Sequence, residues 1–330
     1  MMASRGGSCT GQANQVSAHC ALNGQGVCSI GRRQKSLGEI GLSPLLHLEK
    51  SKRRIMEIAT YIGSLAIIPA IILMVANTVY TDYFMMIIGP ASILYLFYEM
   101  RSFSVSENKK LFAALVLIIF SIFFWAFFEQ SGGSLSLFAV NNLHNTLLGF
   151  EVSPNGVNNS ANSLFVIAFA TLMGLLWIWM NKRKIEPNTV VKFGLGFLFL
   201  AGGFWVFYYT KFFADPSGKT SLNLFTFGWF IITFGELCLS PIGLSAMSRL
   251  SPQKTQAVMM GIWYLASAYG QYFAGLLGAN IAGASENTSN AEKLIVYADG
   301  YQQLALYALI AGLVLILISP WVKKLMQEVK

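Results

Sequence analysis

Charge is scarce in this chain: Lys, Arg, Asp and Glu make up only 12% of its 330 residues, against about a quarter in soluble domains. Cysteine is scarce as well. Cys9, Cys20 and Cys28 fall in the first 30 residues without C-x-x-C spacing, and Cys238 sits in an apolar segment. A zinc site from the first three with His19 is the weaker reading of that cluster. Histidine is limited to His19, His47 and His144, none with a carboxylate at ligand spacing on a shared helix face. A nucleophile with its base, or a metal cluster, is therefore not expected, and neither is an enzyme. Residues 1–50 lack the apolar core a secretory signal needs. The net charge of +8 is not gathered into a basic stripe, so nucleic acid is not an expected partner.

Apolar sequence is what remains, at 55% of the residues and a mean hydropathy of +0.55. It falls into eight runs, 55–79, 82–100, 109–139, 160–180, 190–209, 221–247, 256–282 and 299–322, each near the ~20 residues that cross a bilayer core. The basic residues lie between them. "SKRR", "RSFSVSENKK", "NKRKIEPN", "SRLSPQK" and the tail "KKLMQEVK" alternate with stretches poor in Lys and Arg, and "KFFADPSGK" is mixed. By the positive-inside rule both termini are cytoplasmic and the chain is a multi-pass protein of the cell membrane. Residues 1–33 have no apolar periodicity and read as unstructured or as an unrelated lead; 34–54 read as a cytoplasmic linker. The sequons at Asn158 and Asn287 fall on the outer side. Trp177, Trp179, Tyr208, Tyr209 and Trp321 fit an interfacial belt, and the small residues of "GFLFLAGG" (196–203) and "GLLGANIAGA" (275–284) suit close helix packing.

Two residues resist explanation by composition. Glu129 and Glu236 are the only carboxylates well inside the last six runs, in "SIFFWAFFEQSGGSLSL" and "FGWFIITFGELCLSPIGLSAMS". A charge at the centre of a bilayer costs roughly 2.5–3.5 kcal/mol on insertion scales, so a cation must compensate or the proton must stay on. Each Glu closes an aromatic-rich half and is followed by Ser and Gly, and each helix opens one of two successive three-helix sets. Nested three-plus-three repeats of a transporter half have that arrangement. Pro241, five residues beyond Glu236, should loosen its helix. The bland reading of Glu129 is a helix-end residue: it lies about 28 Å beyond Lys110 at 1.5 Å per residue. Internal cations are few, with Lys192 and Lys211 near helix ends and Arg249 after the Pro241 helix.

The motifs "FWAFFEQ" (124–130), "GELCLSPIGLSAMSRLSP" (235–252), "MMGIWYLASAYGQYFAG" (259–275) and "NSLFVIAF" (162–169) occur together, in order. With them the chain resembles the C-terminal half of a proton-dependent oligopeptide transporter, a peptide-symporter branch of the major facilitator superfamily. The resemblance covers about 34–330 and implies an all-α integral membrane fold. In it a six-helix C-terminal bundle (108–330) follows a two-helix transmembrane hairpin (55–101). It implies that Glu129 serves proton coupling and gating. It further implies that Glu236 receives a peptide amino terminus, that Asn162 hydrogen-bonds the peptide backbone, and that Trp125, Phe128, Ser240 and Trp263 line the pocket. Ser163 stands where the family usually has Pro.

The implied function is di- and tripeptide symport by alternating access, driven by the proton gradient without a cofactor. The implied partners are peptides, protons, the lipid bilayer and an N-terminal bundle that these residues do not supply, since no ExxER-type motif occurs. The expectation is a fragment that does not transport alone. The alternatives are a half-transporter that needs a partner subunit and a non-transporting receptor or regulatory remnant.

Overall fold

A computed structural model describes residues 50–281 and 288–327. The expectations for 1–33, for most of the 34–54 linker and for Asn287 lie outside the described residues. The chain divides into two compact units, 1–80 and 81–330. In the first, α1 (Lys50–Ala76) opens with charged residues, among them the Arg53–Glu57 pair, and is largely apolar and exposed from Ile58 onward. Thr60 and Ser64 donate to the carbonyls four residues back, at 2.7 and 2.8 Å, so their hydroxyls carry no open hydrogen-bonding demand into an apolar surface. Asn77 ends α1, and its Oδ1 accepts from Val79 N at the start of α2 (Thr78–Met100).

The second unit holds the rest of α2 and seven further α-helices: α3 (Val105–Phe128), α4 (Ser134–Asn142), α5 (Pro154–Lys182), α6 (Thr189–Tyr209), α7 (Leu222–Leu250), α8 (Gln256–Ile281) and α9 (Asn290–Met326). Their starts follow local chemistry. Ser104, Ser153, Asn188, Ser221 and Ser289 each turn a side-chain oxygen to a backbone N–H three residues on, satisfying a donor the helix cannot. Ser104–Glu107 and Ser289–Glu292 are full capping boxes.

Helix α6 is the hub, packed between α7 and α9 through bare backbone. A Cβ on Gly235 would lie 2.6 Å from Gly196 O, one on Gly203 2.8 Å from Gly228 O, and one on Gly312 3.0 Å from Gly194 O. Only glycine permits these crossings, as the 196–203 segment suggested. In 275–281 the outcome is divided, with 282–284 outside the described residues: Gly278 packs near Gln130 and Ser134, whereas Gly275 faces open space. Phe124, Phe138, Phe197, Phe204, Phe207, Phe225, Trp229 and Tyr301 fill the core between these helices.

Several boundaries depart from the sequence reading. The third run is broken: α3 ends at Phe128, a single 3-10 turn spans Glu129–Gly132, and α4 follows. The stretch 285–300, read as a loop, is helical from Asn290, because Ser289 and Glu292 cap it and Leu294, Tyr297, Ala298 and Tyr301 bury one face at helical spacing. The stretch 140–159, between two runs in the sequence reading, is helical at both ends, and its loop contains a two-residue antiparallel pairing, Thr146–Leu147 with Phe150–Glu151. Leu148 and Gly149 turn it with positive φ (52° and 90°), and Leu148 N is held by Asn223 Oδ1 at 2.8 Å. Of the eight runs, seven helices among the described residues are long and apolar enough to cross a membrane. The run at 256–282 forms α8, which is long enough at 26 residues but is not one of the seven. Ser267, Gln271, Asn280 and three tyrosines dilute its apolar character.

Candidate functional site

Glu129 and Glu236 lie at similar distances along the chain from the ends of their spans. Glu129 lies about 13 residues before the end of its span at Asn142, and Glu236 about 14 residues after the start of α7 at Leu222. Both ends are opposite the basic loops. At roughly 1.5 Å per residue each carboxyl group is about 20 Å from that end, well within a hydrocarbon core of ~30 Å. The two are close enough to interact electrostatically. Glu129 does end an α-helix, but its span continues through α4, which places it deep.

The break that positions Glu129 is held by neighbours that composition did not single out. Gln130, fully buried, donates from Nε2 to Ala126 O and to Ala274 O on α8, both at 3.2 Å, while its Oε1 accepts from Ser134 Oγ at 2.9 Å. Asn158, 1% exposed, donates to Ser131 O at 2.9 Å. The Asn158 sequon is therefore a buried structural amide, inaccessible to a glycan. Glu129 itself turns outward, half-buried, and its Oε1 accepts from Gln271 Nε2 on α8 at 3.3 Å.

Glu236 follows Gly235, so the contact of Gly235 with Gly196 fixes its height and direction. Its Oε2 accepts from Asn162 Nδ2 on α5 at 2.9 Å, and Asn162 Oδ1 lies 2.8 Å from the Thr233 hydroxyl. The order of partners sets the amide: nitrogen to the carboxylate, oxygen to the hydroxyl. Thr233 went unnoticed in the sequence, although it precedes Glu236 by three residues and so shares its face. Neither Glu129 nor Glu236 enters an ion pair among the described residues.

The aromatic candidates divide. Trp125 is half-buried beside Glu129, with its ring against Phe124 and Phe128 at centroid distances of 5.7 and 5.3 Å; its indole N–H is buried without a partner. Phe128, 6% exposed, packs edge-on to Trp229. Trp263 is 3% exposed, wedged against Gly243 and Phe193 away from the carboxylates. Ser240 is partly exposed on α7, one turn from Glu236 toward the basic end. Asn162, Glu236, Glu129 and Trp125 thus gather around one region, whereas Phe128 and Trp263 sit chiefly in helix packing.

Other ionic groups have separate duties. Lys211, one of the two lysines in the mixed 211–219 stretch, donates to Asp299 at 2.8 Å. On α8, Tyr272 donates to Asp82 of α2 at 2.8 Å, and Lys254, just before the helix, donates to Glu99 at 2.7 Å.

The chain as a whole is similar to known proteins. The peptide transporter YePEPT of Yersinia enterocolitica is 32% identical over 237 residues, covering 71% of this chain and 44% of that protein. Dipeptide and tripeptide permease B of Aeromonas hydrophila is 25% identical over 266 residues, covering 80% and 53%. The chain spans about half the length of the curated relatives it matches. A crystal structure of a peptide transporter POT in complex with sulfate superimposes with a TM-score of 0.62 at 25% identity, over 85% of this chain and 55% of that one. A mutant form of peptide transporter POT, in complex with alafosfalin, gives 0.65 at 26%, with the same coverage. The profile of the POT family matches residues 70–294, two thirds of the sequence. This multi-pass, all-α membrane chain belongs to the POT family.

Proposed function

We propose that this chain provides one wall of a substrate site in a proton-coupled di- and tripeptide symporter. The observation that carries the reading is the pair of membrane-buried carboxyl groups, Glu129 and Glu236, at similar distances from the ends of their spans and outside any ion pair among the described residues. A carboxylate at that depth is costly without a counter-charge. A peptide supplies one at its amino terminus, and a transportable proton supplies the alternative. Names of relatives that carry peptides support the substrate class.

Roles divide by surroundings. Glu236, oriented by Asn162 and Thr233, is the receptor for the ammonium group; Asn162 is placed beside it to meet the peptide backbone. Glu129, held only by the neutral Gln271, is the proton-coupling group. An amide suits that post, because its nitrogen donates to a carboxylate and, after a flip, its oxygen accepts from a carboxylic acid. Trp125 and Ser240 shape the side-chain pockets, while Phe128 and Trp263 support them from within the helix packing. The cycle is alternating access, with a complementary bundle rocking against this one and no cofactor. By itself this bundle offers one side of the site and does not transport.

The test is peptide counterflow in vesicles that contain this chain with the part of the Yersinia transporter it does not match. Glu236→Gln should abolish counterflow of a dipeptide with a free amino terminus. Undiminished counterflow in that variant would refute the assignment of Glu236.

A further inference from the structure

Helix α8 carries two sets of contacts on opposite faces. Gly270, Ala274 and Gly278 recur at i, i+4 and i+8, and they meet α3 and the turn that follows it. A Cβ on Gly270 would lie 3.1 Å from Ala126 N and from Ile122 O, and one on Gly278 3.3 Å from Gln130 Oε1. Between them, Ala274 O accepts from Gln130. At about 100° per residue, Tyr269 and Tyr272 fall on the far side of the helix from this seam, and both phenols bond to α2. Gln271, the partner of Glu129, falls at the edge of the seam.

The α2 contacts are directional. Tyr272 donates to Asp82 at 2.8 Å. The Tyr269 hydroxyl accepts from Gly89 N at 3.0 Å and donates to Met85 O, the two backbone groups that close one turn of an unbroken helix. Pro90 follows directly and brings no N–H for the next turn. A Cβ on Gly89 would run into the Tyr269 ring, so only glycine admits this phenol. The seam with α3 offers less resistance to turning. Its residues are small, and the bond from Gln130 ends on a backbone oxygen close to the helix axis. The phenols act at the ends of long side chains instead. Trp263, wedged against Gly243, secures α8 about two turns before Gln271.

We propose that Tyr269 and Tyr272 are positioning residues: by tying α8 to α2 they fix the rotation of α8 at which Gln271 meets Glu129. The tolerance is small. A turn of about 20° moves a group ~5 Å from a helix axis by roughly 1.7 Å, and the Gln271–Glu129 contact, at 3.3 Å, is already long for an N–H···O bond. The bearing of this arrangement on transport rests on Glu129 being the proton-coupling group. Asp82, Tyr269 and Tyr272 then act on coupling through Gln271, without touching Glu129 themselves.

The test measures cross-linking in the full chain, reconstituted in lipid vesicles. Cys9, Cys20, Cys28 and Cys238 are replaced by Ala, and Glu129→Cys and Gln271→Cys supply the pair. A bifunctional methanethiosulfonate joins the two thiols, and its rate reads their separation without the hydrogen bond itself. Tyr269→Phe with Tyr272→Phe should slow that rate about five-fold, the weight of one lost hydrogen bond. Hydrogen exchange along 259–278 should stay at its original level. Asp82→Leu should slow cross-linking too, whereas Asp82→Asn keeps an acceptor for Tyr272 and should keep the rate, as should Gly275→Ala. If the double tyrosine variant fails to fold, the two Asp82 variants decide. An unchanged rate in the double variant or in Asp82→Leu would overturn the proposal. So would slowing with faster exchange throughout 259–278, because α8 would then have loosened rather than turned. Transport does not enter this readout, so its failure is separate from any failure of Glu129 to couple protons.

Discussion

Asn162 and Glu236 are joined side chain to side chain across α5 and α7, Nδ2 to Oε2 at 2.9 Å. Helix α5 is mostly exposed, with 6% of its most apolar stretch buried, and its start is anchored by Asn155 and Asn158. The bond therefore ties α5 to the centre of the bundle as well as orienting the carboxylate. Replacing Asn162 with Leu should remove the donor to Glu236, while the Thr233 hydroxyl keeps Trp229 O, at 2.8 Å, as its acceptor. A cost of about 1–3 kcal/mol is expected, read as a lower midpoint in thermal unfolding of the purified chain. Glu236→Gln retains an oxygen that can accept from Asn162, so its midpoint should stay close to the wild type.

Gln130 serves structure where its neighbour Glu129 serves chemistry. Gln130→Leu would leave Ala274 O without this donor at the junction of α3 and α8, and would release Ser134. Destabilisation of about 1–3 kcal/mol should follow. Faster hydrogen exchange confined to the 129–134 turn would identify the cause. An unchanged unfolding midpoint would mean the turn is held by other contacts.

The Gly196–Gly235 crossing predicts intolerance of a single methyl group. With a Cβ on Gly235 only 2.6 Å from a backbone oxygen, Gly235→Ala has to push α6 and α7 apart, at a cost of about 1–3 kcal/mol. Because Glu236 is the next residue, peptide binding should weaken as well. Gly275→Ala, in open space on α8, is the control and should be neutral in both measurements.

The loop between α6 and α7 carries a pH dependence whose sign follows from Asp215. Asp215 lies outside the spans, and the Ser217 hydroxyl, followed by the backbone N–H groups of Lys219 and Ser217, holds its carboxyl below the usual range, with His144 adding a smaller effect. A carboxyl lowered in the folded state stabilises the loop above its unfolded pKa of ~3.9 and loses that contribution as pH falls through the folded value. Amide exchange at Ser217 and Lys219, corrected for intrinsic rates, should accelerate below about pH 4 and be flat above pH ~5. Asp215→Asn should remove the dependence.

Much of this architecture is legible in the sequence, because lipid demands long apolar runs and leaves the charges to mark the loops. The ends of α2, α6 and α7 fall within a few residues of their runs for that reason. What apolarity does not encode was missed. The break at Glu129 lies inside a run read as apolar to Val140, and it is held by hydrogen bonds of Gln130 and Asn158 to partners 144 and 27 residues away. The start of α9 was hidden because charged and polar residues there face outward while Leu294 and Tyr297 face inward. At the site, the motifs singled out Glu129, Asn162 and Glu236, which do gather, but a motif cannot separate a ring that lines a pocket from one that packs a core. Trp125 and Trp263 differ in that respect only through their neighbours, the open edge beside Glu129 and the closed contact with Gly243.

The central claim is that Glu129 couples protons to peptide movement. The direct measurement is dipeptide uptake in vesicles with an imposed proton gradient, alongside counterflow without one, for wild type and Glu129→Gln, with the unmatched part of the Yersinia transporter present. The account predicts that Glu129→Gln loses gradient-driven accumulation and keeps counterflow. Accumulation at the wild-type level in Glu129→Gln would contradict it.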